Sequence, residues 1–274
     1  MTAEHMIGID VVIDETMRAL GHESHHLAIV SDAEVLTVAV VAAAFFGNQH
    51  ARALAVLRAT GYLSRALSTS RFSRRLHALA DWLALLRDVR GDLFARGQAM
   101  ICAVVIESRP VPVCTRVRAR RCRTVRGRAS CGYCPAKQET FFGWRLPLVC
   151  TPGGLPVAFT LLPGGLHALT PIHELTVNLP AGAWVYGDTG DNSAPDEATI
   201  RATGGGVLVP VHKDNMAPPT RAEQCGLRTV RFTSETLNSQ LTAMGIAHLH
   251  VRSVAGLEIK VHASLLALAC LNVD

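Results

Sequence analysis

Met100-Ile-Cys-Ala-Val-Val-Ile106, followed at once by Glu107, is the stretch that decides the fold. Seven successive apolar residues are what a strand buried on both faces requires. Such a strand lies inside a sheet flanked by helices and presents the carboxylate that follows it at the strand's end. Upstream the pattern is helical. Ser31-Asp-Ala-Glu34 reads as a capping box opening a helix through Phe46, which Gly47-Asn48 ends. Gln49–Arg58 forms the next helix, and Phe72, Leu76, Leu79 and Leu83 mark one face of another. Arg71, Arg74 and Arg75 lie near its start, where a recognition helix would meet DNA.

Downstream the signal is strands mixed with helices. Phe141–Val149 and Pro156–Leu162 flank the turn-rich Thr151-Pro-Gly-Gly-Leu155 and read as a hairpin. Pro147 argues for an edge position or a bulge in the first of these strands. Pro171–Leu179 reads as a short helix, Trp184–Tyr186 and Val207–Val211 as short strands, and Thr233–Met244 and Gly256–Leu271 as helices. The expected division is a helical, DNA-binding region over 1–95 and a mixed α/β (α+β) domain over 96–274.

At 274 residues, 49% apolar and 18% charged, the chain can bury a core, and its composition argues against disorder. Its longest apolar run, Val35–Phe46, is too short to span a bilayer. No basic, apolar leader is signalled, and the eight cysteines read as reduced thiols of a cytoplasmic protein.

Charge is unevenly spread. Between Arg109 and Arg128 stand eight arginines and no acid: Arg109, Arg116, Arg118, Arg120, Arg121, Arg123, Arg126 and Arg128. Guanidinium forks match phosphate oxygens, so the run points to a polyanion partner and favours nucleic acid over a merely solvated loop. Cys131-x-x-Cys134, with Cys114 and Cys122, raises structural zinc, although only one pair has knuckle spacing. Otherwise Cys-Gly-Tyr-Cys is a turn with reduced thiols. His167 and His173 flank a turn and a helix start and read as structural or DNA-facing.

Three acids then stand out: Glu107 after the buried strand, Asp188 after Ala-Trp-Val-Tyr-Gly187, and Glu235 in the helix-like Ser234–Met244. Carboxylates from strand ends and a helix are what two magnesium or manganese ions need in phosphodiester chemistry.

Several segments carry a family likeness: Ser31-Asp-Ala-Glu-Val-Leu-Thr37, Ser68-Thr-Ser-Arg-Phe-Ser-Arg-Arg-Leu-His77, Pro110-Val-Pro-Val-Cys114, Cys131-Gly-Tyr-Cys134, Phe141-Phe-Gly-Trp-Arg-Leu146, Tyr186-Gly-Asp188 and Glu235-Thr-Leu-Asn-Ser-Gln-Leu241. In this order they resemble bacterial insertion-sequence transposases of the DDE type. The resemblance implies an RNase H-like core, with the first acid ending the first strand, the second ending the fourth and the third on a late helix. Glu107, Asp188 and Glu235 take those positions as catalytic and metal-binding residues, with Arg231 placed to hold a phosphate. The partners implied are double-stranded DNA (terminal inverted repeats and target) and a second copy of the chain on that DNA. The sequence departs from the family at Glu107, usually Asp, at Thr189-Gly190-Asp191, and at Leu241-Thr-Ala243, where a basic residue is usual. Two further readings follow: a catalytically inactive DNA-binding remnant, and an RNase H-like nuclease with another task.

Overall fold

The computed structural model describes residues 3–63, 65, 67–97, 103–114, 116–122, 124–134, 138–167, 170–177, 179–187, 198–202, 206–210 and 220–271. The chain divides into two compact units, 1–90 with 240–274, and 91–239.

The helical unit is organised by two helices that are apolar all round. α2 (Asp32–Phe46) buries Ala33 and every residue from Val35 to Ala43. Its start is the expected capping box, with Ser31 Oγ accepting from Glu34 N and the Glu34 carboxylate from Ser31 N. Its end is Gly47 in the left-handed region at φ 55°, followed by Asn48 at φ 61°. The C-terminal helix Val254–Leu271 (α8) buries Leu257, Ile259, Val261 and the run Ala263–Ala269. By length and composition α8 could cross a bilayer, yet these residues form the core of the unit. A helix without a polar face must be surrounded. Here α2 packs on α8 and on α1 (Ala3–Ala19), α3 (His50–Ala59) and α4 (Thr69–Ala78). Asn48 fastens the join, its Nδ2 donating to Met244 O at 2.8 Å and Ser264 Oγ at 2.9 Å. Segment 240–274 therefore groups with the N-terminal helices, whereas the sequence division kept it with the strands.

The next helix, α5 (Ala80–Gly97), begins after Leu79, so the stripe Phe72, Leu76, Leu79, Leu83 runs across two helices and is buried throughout. The unit boundary falls within α5.

The second unit is built on a mixed sheet. β1 (Ala103–Cys114) pairs antiparallel with β3 (Glu139–Cys150) and parallel with β6 (Trp184–Gly187), which pairs parallel with β7 (Val207–Pro210). The far side of β3 is shared along its length by β2 (Cys131–Cys134), β5 (Leu162–Pro163) and β4 (Pro156–Phe159). Met100–Cys102 lie outside the described residues. Ala103–Ile106 form the expected central strand and pair with Trp184–Tyr186, but β1 continues to Cys114, so Glu107 lies within the strand and not at its end.

Two expectations give way. Pro147 sits in β3, which has neighbours on both sides. Its carbonyl accepts from Thr160 N, so its missing N–H faces the gap between the end of β4 at Phe159 and the start of β5 at Leu162. Cys131–Cys134 is a strand, not a turn, paired from Cys131–Phe142 to Cys134–Glu139.

The two sheet faces have separate cores. Val104, Ile106, Val149, Val185 and Leu208 pack with Ile200 and the short helix α6 (Ile172–Thr176). Val105, Tyr186 and Val209 form the other face, against which Leu227 of α7 (Arg221–Ala243) packs. Gly226 lets α7 approach: a Cβ there would lie 2.0 Å from the Tyr186 hydroxyl.

Candidate carboxylate site and arginine surfaces

Side chains alternate along β1, so Glu107 shares the α7 face with Val105 and Arg109. It pairs with Leu148 across β3 and is half-buried, its Oε1 accepting from Ser108 N at 3.2 Å. Its charge is felt locally: burial pushes the Cys150 thiol well above its ordinary range, and Glu107 pushes it further. β6 ends at Gly187, one residue beyond the Val105–Tyr186 pair, so the end of β6 lies beside the approach to Glu107. Asp188 follows Gly187 in sequence and lies outside the described residues.

α7 is fixed over this face at three levels. Near its start Gly226 rests on Tyr186; in the middle Thr233 Oγ1 donates to Pro152 O at 2.5 Å. Further on, Arg109 Nη1 donates to Asn238 O at 2.6 Å and Asn238 Oδ1 at 2.7 Å. Arg109 is only 9% exposed; burial lowers its pKa and Glu107 works the other way. This arginine, the first of the basic run, is thus a strut between β1 and α7 and presents no phosphate-binding surface. Its partner Asn238 escaped the sequence reading, and nothing local marks it, since the pairing spans 129 positions.

The strut brings the third acid's segment to the first acid's strand. Glu235 stands three residues before Asn238, as Glu107 stands two before Arg109. Glu235 is exposed on α7, and Arg231 Nε, one turn earlier, donates to its Oε1 at 3.1 Å. Both acids offer carboxylate oxygens, the donors magnesium takes. Among the described residues, no three His, Cys, Asp or Glu side chains form a group able to hold a metal.

The remaining arginines divide into two populations. Past Cys114 the chain forms a 3₁₀ turn, Arg116–Arg121, that leaves Arg118, Arg120 and Arg121 exposed, as is Arg126. Arg120, Arg121 and Arg126, with Ala119, Cys122, Val125 and Gly127, line an open depression of about 640 Å³. Arg123 lies outside the described residues, and for Arg116 and Arg128 the backbone alone is described. On α4, Arg71 and Arg74 are exposed, but Arg75 is engaged at home. Its Nη1 donates to Val30 O at 2.6 Å and its Nη2 to Asp32 Oδ1 at 2.5 Å, while the other oxygen of Asp32 faces His22 Nε2 at 3.1 Å. Arg75 thus ties α4 to the start of α2, a role its basic neighbours concealed.

Among the described residues the cysteines do not gather into a group of three able to hold a metal. Cys114 and Cys131 pair with Phe142 from opposite sides of β3, two strand spacings apart, or roughly 10 Å. Burial, with a hydrogen bond shared with Cys122 adding to it, pushes the Cys114 thiol up to about 11. All seven described cysteines are free thiols. Among the histidines, His167 is exposed and follows the turn after β5, and His173 lies in α6 with only its backbone described.

Compared with known proteins, the chain matches no family model, no curated protein and no solved structure.

Proposed function

We propose that the chain is a DNA transposase of the DDE type, which binds element ends and cuts and joins DNA with Glu107, Asp188 and Glu235. The observation that carries the reading is the strut between Arg109 and Asn238, which sets the segment of Glu235 against the strand of Glu107. Sheet topology supports the finer, RNase H-like reading. Counting the strands of the path β4-β3-β1-β6, Glu107 is on the first in chain order, Asp188 follows the fourth, and Glu235 is on a late helix.

The donor chemistry fits magnesium, which Glu107, Asp188 and Glu235 would hold together. When bound, a pair of such ions supplies activation of the attacking oxygen and stabilisation of the leaving one. The chain's own residues do the rest. Arg231 faces a phosphate from α7 while holding Glu235 in place. Arg118, Arg120, Arg121 and Arg126 grip the DNA backbone. Arg109 keeps α7 against β1, so the two carboxylates stay in register when DNA binds. The setting is cytoplasmic, and two copies hold two DNA ends.

A second reading, a DNA-binding remnant without activity, is favoured by one observation: Glu107 stands where the resembled family has Asp, adding a methylene to the reach. Displacement of a reacting group by about 1 Å costs on the order of a hundredfold in rate. Plasmid nicking with magnesium separates the readings. The wild-type chain is expected to nick, Asp188→Asn and Glu235→Gln to abolish nicking while retaining DNA in gel shifts, and Glu107→Asp to accelerate it. No nicking by the wild type and by Glu107→Asp, with DNA binding intact, favours the remnant.

A further inference from the structure

Phe232 is 73% exposed on α7, although a phenylalanine ring gains more than most side chains from burial. Its neighbour Thr233 is buried and bonded to Pro152 O, so this turn of α7 is anchored and Phe232 is held outward. The surroundings are cationic. Arg221, Arg228 and Phe232 recur along one stripe of the helix that continues to Glu235, and Arg231, which precedes Phe232 in sequence, is paired with Glu235. Arg221 and Arg228 are exposed, and the Arg231 side chain is 83% exposed. An anchored aromatic ring among exposed guanidinium groups is the arrangement that binds unpaired nucleotides: arginines take the phosphates and a base stacks on the ring. Duplex DNA keeps its bases stacked internally, so such a ring adds little to duplex affinity.

We propose that Phe232 is a stacking platform for an unpaired base of a DNA strand lying along α7 beside Glu235. The inference rests on the DNA reading above and deepens it, since the strand held there has an unpaired nucleotide next to the acid. A stacked base fixes the strand's position along α7, which the arginines, gripping any phosphate, do not.

The test compares two dye-labelled DNAs at low salt by fluorescence anisotropy: a blunt duplex, and the same duplex with a short 3′ single-stranded overhang. The wild-type chain is expected to prefer the overhang. Phe232→Ala should weaken overhang binding by about fivefold to a hundredfold and leave the blunt duplex within about twofold. Phe232→Trp should keep the preference. Both changes are at an exposed position, so the fold is retained. Equal losses on both DNAs, or none on either, overturn the inference and leave the DNA reading standing. Phe232→Ala that lowers the sedimenting mass without altering the overhang preference overturns it in favour of a contact between copies. A wild-type chain that binds neither DNA overturns both the inference and the reading beneath it.

Discussion

The helical unit and the sheet unit use polar side chains in opposite directions. In the first, Arg75, Asn48 and Thr37 turn onto the chain itself, holding Val30 and Asp32, Met244 and Ser264, and Asp10. In the second, Arg109 is spent inside, whereas Arg118, Arg120, Arg121, Arg126 and Arg231 face solvent. Polar groups facing inward fix helices to one another, and those facing outward are available to a partner. Substitutions should therefore damage stability mainly in the helical unit, while changes to the outward arginines show in binding. Ranked by expected effect on stability, four measurements test that division.

The largest effect should come from acid. Burial lowers His50 from 6.5 to about 4, with Lys260 and His77 adding to the shift. Burial also lowers His262 to about 4, with Arg87 contributing. The unfolded chain takes up these protons near pH 6.5 and the folded chain only near pH 4, so the unfolded state binds more protons between the two. Stability is then fully present above about pH 6.5 and declines as pH falls towards 4. The loss is on the order of 3 kcal/mol for each histidine at most. Chemical denaturation from pH 7 to 4.5 should show this slope, and His50→Gln or His262→Gln should each flatten it. A profile unchanged in both variants would mean that these rings are hydrated, and the helical interior would lose its distinction.

Asn48 comes next. Asn48→Ala leaves two buried acceptors without their amide donor and puts a Cβ-bearing, non-Asn residue at φ 61°. Together these should cost about 3 kcal/mol. Asn48→Gly keeps the left-handed backbone at little cost and should lose only the hydrogen-bond part. Equal losses in the two variants would show that conformation contributes nothing at this cap.

Legibility followed the range of the interactions. Ser31 and Glu34 cap α2 across three residues, and Gly47-Asn48 closes it locally, so both ends of α2 were readable. β1 declared itself because a strand between neighbours must be apolar on both faces. The grouping of α8 with α2 was not readable: helices apolar all round have no face that names a partner. α7 begins at Arg221, twelve residues before the expected Thr233, since arginines, Gln224 and Cys225 on its open side blur the apolar period. At the candidate site, the sequence expected Glu107 at a strand's end, whereas β1 runs on to Cys114 and holds Glu107 within it; the roles of Arg109 and Arg75 depend on partners distant in sequence. A basic run looks the same whether its arginines point in or out.

Arg109 tests the arginine of that run whose described side chain points inward. Arg109→Met keeps much of the stem and removes the bonds to Asn238, and should cost about 2 kcal/mol. Arg109→Lys should recover only part, because an ammonium lacks the planar fork. The sharper readout is function. If the strut positions the site, Arg109→Met should slow DNA nicking far more than it weakens DNA binding. Loss of both in proportion would make Arg109 part of the DNA surface, contrary to its burial.

The smallest effect on stability belongs to the outward arginines. Arg118, Arg120, Arg121 and Arg126 are exposed, and exposed charges contribute little to folding. Replacing all four with Ala should change the unfolding free energy by less than about 0.5 kcal/mol, or raise it slightly as like charges are relieved. Their DNA effect should be large and of a particular kind. Each phosphate contact removed should lower the slope of log affinity against log salt by about 0.9, so the quadruple variant should bind weakly and with little salt dependence. The same experiment on Arg71 and Arg74 of α4 asks whether the helical unit also faces DNA. A slope that falls for the quadruple variant but not for Arg71→Ala/Arg74→Ala would confine the DNA surface to the sheet unit. An unchanged slope in the quadruple variant, with stability intact, would reduce the run to a solvated loop and remove the clearest contrast between the two units.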